Sequence, residues 1–135
     1  MKKTRMIGNP VPEGTLRIKK YSLNEIFDFM RINPDKDYYV DQEGNRCKLR
    51  RAKVFLEKGI SCVETGCLLK GEFFALEKWP DGSIHFDLYS YDEQFKLEVL
   101  MTIDHIFPKS KGGKDKIENY QPMCCAHNYI KSDNV

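Results

Sequence analysis

The chain has 135 residues, five of them cysteine, with a net charge of +2, 41% hydrophobic residues and 31% charged residues. That length bounds it to one domain with at most a small appendage, and the composition excludes a disordered or fibrous chain. No run of about 18 apolar residues exists, which excludes a helical membrane span. The basic start (Met1, Lys2, Lys3, Thr4, Arg5) is not followed by the apolar stretch of a secretory signal, so the expected location is the cytoplasm.

Residues 1–20, with Gly8, Pro10, Pro12 and Gly14 among scattered charges, read as an irregular arm. A helix then starts at Ser22. Ser22 and Glu25 have the capping-box spacing, Leu23, Ile26, Phe27 and Met30 recur at helical spacing, and Asn33-Pro34 ends the run. Residues 38–41 and 46–49 can pair as a short hairpin across Gln42-Glu43-Gly44-Asn45. A second helix is predicted over residues 49–58, with Leu49, Ala52, Phe55 and Leu56 inward and Gly59 as its stop.

Past Cys62 and Cys67 the period changes to two. Residues 73–79 and 83–89 flank the turn Pro80-Asp81-Gly82, and Ile84, Phe86 and Leu88 alternate with His85, Asp87 and Tyr89, which predicts a half-buried strand. His85 falls on its polar face, and Trp79 reads as a hairpin-capping hydrophobe or a base-stacking ring. Phe95, Leu97 and Val99 carry the alternation toward Asp104-His105. A Lys/Gly/Ser-rich loop over residues 108–116 follows, then a short helix over 125–132.

Charge is unevenly spread. Basic residues gather in the first twenty positions, in residues 46–58, and at Lys109, Lys111, Lys114, Lys116 and Lys131, while acidic residues concentrate between Glu72 and Asp104. The pattern suits a phosphate-facing surface and equally suits ordinary solvated faces. An odd number of cysteines without an export signal favours metal ligation over disulfides, with buried free thiols as the other reading.

The stretch that carries chemistry runs Met101-Thr102-Ile103-Asp104-His105-Ile106-Phe107-Pro108-Lys109-Ser110-Lys111-Gly112-Gly113-Lys114-Asp115, then Asn119-Tyr120-Gln121-Pro122-Met123-Cys124 and His127-Asn128-Tyr129-Ile130-Lys131. It resembles the HNH (ββα-metal) endonucleases, whose pattern is Asp-His, Pro and Gly-Gly, Asn, Cys-x-x-Cys before His or Asn, and Lys. The resemblance spans residues 60–132 and is closest in character to small HNH proteins of bacteriophage genomes, which would place the protein in a bacterial host cell.

The resemblance implies an α+β fold: a zinc-stapled ββα-metal module at the C-terminal end, residues 60–135, with a small helical N-terminal part and a β-hairpin in residues 1–59. It implies hydrolysis of DNA phosphodiester bonds with Mg²⁺ or Mn²⁺ held by Asp104 and Asn128, His105 as general base, and Asn119 orienting the loop that supports His105. Lys109, Lys111, Lys114 and Lys131 would contact phosphates. It also implies a structural Zn²⁺ on Cys62, Cys67, Cys124 and His127, ligand types and spacings that zinc accepts. Cys125 is an alternative to His127, and Cys47 reads as a core thiol.

Three departures stand out: Asn128 in place of the third-position His, His127 in place of the last zinc cysteine, and a Cys62–Cys67 spacing longer than Cys-x-x-Cys. The first motivates a competing reading, a zinc-stabilised nucleic-acid-binding module without turnover; a protein-interaction scaffold is a third. One active site per chain would make double-strand cleavage the work of a homodimer or of two successive nicks.

Overall fold

The computed structural model describes residues 6–133, so the basic start at residues 1–5 lies outside the described residues. The elements in chain order are β1 (Leu16–Ser22), α1 (Leu23–Ile32), β2 (Tyr38–Val40), β3 (Arg46–Lys48), α2 (Arg50–Lys58), β4 (Phe73–Lys78), β5 (Ile84–Asp92), β6 (Leu97–His105), β7 (Tyr120–Cys124) and α3 (Cys125–Asp133). Two short 3₁₀ turns, Lys109–Lys111 and Ile117–Asn119, lie between β6 and β7. The chain is thus mixed α and β, with an antiparallel sheet ordered β1-β4-β5-β6-β7 and a separate β2-β3 hairpin. No helix of the described residues is long and apolar enough to cross a membrane.

The local signals in the N-terminal part produce the elements they encode. The Ser22 hydroxyl accepts the Glu25 amide at 3.1 Å and caps α1, whose Ile26, Phe27 and Met30 are buried. Phe27 stands edge-on to Phe74 of the sheet, ring centroids 5.5 Å apart. The β2-β3 hairpin joins the same core through Cys47, a fully buried free thiol, and through a buried hydrogen bond from the Tyr21 hydroxyl to Asp41.

Two expectations are corrected. Residues 16–22 are not an irregular arm but the edge strand β1, paired with β4 and interrupted by a register shift between Arg17 and Lys19. Its side chains are largely exposed apart from Tyr21, as suits an edge strand, where charged residues prevent further pairing; that charge hid the strand in the sequence. The second correction concerns β5. It is not half-buried: Phe86 through Ser90 are buried without a break, so side chains on both faces are covered, with β4 and β6 along its edges and β3 and α2 packed near it.

Polar groups enter the interior as a consequence, and they arrive paired. The Tyr89 hydroxyl donates to Glu77, and the Arg17 guanidinium bridges Glu77 at 3.0 Å and Glu98 at 2.7 Å while lying over the Phe73 and Tyr89 rings. Asp87 has Arg51 at 3.5 Å. His85 is only partly exposed and stacks on Trp79 with centroids 3.7 Å apart, so both rings are occupied with each other at the hairpin tip.

Candidate active site

β6, β7 and α3 build the site. β6 and β7 pair with Asp104 opposite Gln121 and His105 opposite Tyr120, and α3 leaves directly from the end of β7. Alternation along β6 puts Thr102 and Asp104 on one face. Asn128 and Lys131 are three apart on α3, hence neighbours on one side of that helix. Asp104, His105, Asn128 and Lys131 line one open cleft of about 270 Å³ together with Ile103, Pro108, Lys109, Ser110 and Ser132.

Asp104 is buried, and its carboxylate accepts from Gln121 Nε2 at 2.8 Å and from the Lys131 ammonium. Lys131 also donates to the His105 backbone carbonyl at 2.9 Å. Asn128 donates from its amide nitrogen to Thr102 Oγ1 at 2.8 Å, and that hydroxyl donates in turn to the Met123 carbonyl at 2.7 Å. His105 meets Asp115 through Nε2 at 2.8 Å, and Tyr120 stands edge-on to its ring with centroids 5.2 Å apart. The other Asp115 oxygen pairs with Lys109 at 2.9 Å. Those two partners hold the Asp115 carboxyl below the usual carboxylate range, the His105 hydrogen bond contributing most.

The loop from 106 to 119 is held by Asn119. Its side-chain oxygen accepts the Phe107 amide at 2.8 Å, its amide nitrogen donates to the carbonyls of Phe107 and Lys114, both at 3.0 Å, and its own carbonyl accepts the Ile106 amide at 2.8 Å. Gly113 packs against the same point: a Cβ there would lie 1.9 Å from the Phe107 carbonyl oxygen, so no larger residue fits without moving the loop. Lys111 and Lys114 are exposed on this loop, whereas Lys109 and Lys131 are engaged with carboxylates.

The second constellation lies at the base of α3. The ligand atoms of Cys62, Cys67, Cys124 and His127 all fall within 4.8 Å of one another. The His127 Nδ1 atom is 3.2 Å from Cys124 Sγ and 3.7 Å from Cys62 Sγ. Sulfur ligands about 2.3 Å from a tetrahedral ion stand roughly 3.8 Å apart, so this donor set and spacing fit a metal such as zinc. Cys62 and Cys67 come from the loop between α2 and β4, which docks on β7 through Val63 N to Pro122 O at 3.1 Å. Cys125, the alternative fourth ligand, is buried outside this group. Burial, with the neighbouring thiols, pushes Cys124 up to about 12, and burial raises Cys67 as well, so a cation entering here must displace protons.

Three partners of the cleft residues escape a reading of the sequence alone: Thr102 on Asn128, Asp115 on His105 and Gln121 on Asp104. Asp115 lies inside the motif stretch, but only the folded loop brings it back to His105. Gln121 is visible only once β7 is known to pair with β6, and Pro122 masks that strand.

Residues 92–133 match the family model described as HNH endonuclease. The matched stretch begins at the end of β5 and runs through β6, the 106–119 loop, β7 and α3, so the likeness to HNH endonucleases lies in the C-terminal part of the chain. The Cys62–Cys67 loop lies outside it. No curated protein and no solved structure matches the chain.

Proposed function

We propose that the protein is a divalent-metal-dependent endonuclease that hydrolyses DNA phosphodiester bonds with His105 as its general base. One observation carries this reading: within the stretch that matches the HNH family, Asp104, His105 and Asn128 line a single open cleft. The neutral imidazole of His105 accepts a proton from water as the water oxygen attacks phosphorus, the bond to the 3′ oxygen breaks, and the departing alkoxide takes a proton from solvent, leaving 5′-phosphate and 3′-hydroxyl ends. Asp104 and Asn128 offer a carboxylate and an amide oxygen, the hard donors that Mg²⁺ or Mn²⁺ prefers. A divalent ion held there supplies charge neutralisation at the phosphate and at the departing oxygen.

Asn119 keeps the loop after His105 in place. Cys62, Cys67, Cys124 and His127 are read as the ligands of a structural zinc that fixes the start of α3, and hence Asn128, relative to Asp104. Lys111 and Lys114, with Lys116, are exposed lysines of the loop available to phosphates.

The test is plasmid relaxation with Mg²⁺, Mn²⁺ or EDTA, with wild type beside His105→Ala. Conversion of supercoiled DNA to open-circle or linear forms, only with metal and only with wild type, supports the proposal. Equal cutting by His105→Ala sinks it, and so does DNA binding by both proteins without cutting under any metal.

A further inference from the structure

His105 is not an isolated imidazole. Its Nε2 faces a carboxylate oxygen of Asp115 at 2.8 Å, and the other oxygen of that carboxylate faces the Lys109 ammonium at 2.9 Å. Each Asp115 oxygen is therefore engaged, one with His105 and one with Lys109. A neutral imidazole carries one N–H and one lone pair, and a carboxylate offers only lone pairs. Two lone pairs facing each other at hydrogen-bond distance repel, so the nitrogen opposite Asp115 is the one that bears hydrogen. The lone pair is then on Nδ1, the nitrogen left for the cleft that His105 lines. Tyr120, edge-on to the ring at 5.2 Å, limits its rotation from the side of β7.

We propose that Asp115 is the positioning residue of this site, holding His105 as the Nε2–H tautomer so that Nδ1 takes the proton from the attacking water, with Lys109 holding Asp115 in turn. The proposal rests on the reading of His105 as the base and deepens it: it names the nitrogen that works and the two residues that select it. It also gives Lys109 a task other than touching phosphate. The Asp115 side chain is about half exposed, at 49%, and ion pairs of that exposure add little to stability, so a purely structural role is not what keeps it on His105.

The decisive variant is Asp115→Asn. An asparagine turned to donate its amide hydrogen to Nε2 moves the imidazole proton to Nδ1, whereas Asp115→Glu retains an acceptor. The measurement is long-range ¹⁵N–¹H correlation of the histidine rings at a pH where the imidazole is neutral, with His105 assigned by its absence in His105→Ala. Expected are a single Nε2–H pattern in wild type, a shift toward Nδ1–H in Asp115→Asn, a return toward wild type in Asp115→Glu, and a partial loosening in Lys109→Ala. In plasmid cleavage, Asp115→Asn should lower kcat by on the order of 10²–10⁴-fold with KM little changed, the usual consequence of a base in the wrong tautomer. A wild-type spectrum that is already a mixture, or one that Asp115→Asn leaves unaltered, overturns the proposal. The spectra need no turnover: a tautomer that responds to Asp115 in a protein that cuts nothing upholds the pairing and faults the nuclease reading alone.

Discussion

The Lys131 ammonium sits on the Asp104 carboxylate, reaching back from α3 to the end of β6 and touching the His105 carbonyl on the way. Asp104 is only 8% exposed, so without this cation its charge is left with Gln121 as the one other side-chain partner described.

An ammonium and a divalent ion compete for the same carboxylate. Lys131→Met is expected to tighten Mn²⁺ binding roughly tenfold by calorimetry, and to lower the stability of the metal-free protein by about 1–3 kcal/mol, the usual cost of stranding a buried charge. Added Mn²⁺ should recover that loss. Unchanged Mn²⁺ affinity would mean that Lys131 and the ion do not share Asp104.

The cluster at the base of α3 should bind one zinc per chain, measurable by elemental analysis of the purified protein. Cys124→Ser, or chelation, is expected to lower the melting temperature by on the order of 10–20 °C, since such sites contribute folding energy directly. Cys125→Ser should leave the zinc content intact, because Cys125 stands outside the group.

The loop clamp separates two adjacent glycines. Gly113 has no room for a Cβ against the Phe107 carbonyl, whereas a Cβ on Gly112 would meet open space and only the strain of its φ of 95°. Gly113→Ala should therefore lower cleavage far more than Gly112→Ala does. Asn119→Ala, which removes three side-chain hydrogen bonds of about 1 kcal/mol each, should match Gly113→Ala and speed amide exchange at Phe107.

Asp87 gives the pH prediction. Burial raises its carboxyl above the ordinary range, against the opposing pull of Arg51. A carboxyl whose folded-state value is raised keeps its proton longer in the folded chain, so stability falls as pH rises from the unfolded value, about 3.9, through the folded one. Asp87→Asn should therefore raise the melting temperature at neutral pH, and the gain should shrink on acidification. Arg51, more than half exposed, loses little when its partner is neutral.

The elements written in adjacent residues were legible before folding. Ser22 with Glu25 marked the start of α1, and Gly59 marked the end of α2. What escaped depends on partners distant in sequence. The burial of β5 on both faces depends on side chains far from it in sequence, such as Arg51 at Asp87 and Arg17 over the Tyr89 ring, which alternation within the strand does not announce. Gln121 reaches Asp104 only through the β6-β7 register, and Asp115 reaches His105 only after Asn119 has folded the loop. Side-chain roles in this site are set by pairing, which local periodicity does not contain.

The helix that carries Asn128 is held from two distant points of the chain. Gly8, with φ 78°, packs so tightly on α3 that a Cβ would lie 2.5 Å from the Cys125 carbonyl and from the Tyr129 Cβ. Cys62 approaches His127 on the same helix across 65 residues of sequence. Closing such distances is slow relative to forming hairpins and single helices. Docking of α3 is therefore expected as a late event of folding, so that a partly folded chain carries the β4-β5-β6 meander before Asn128 is fixed beside Asp104.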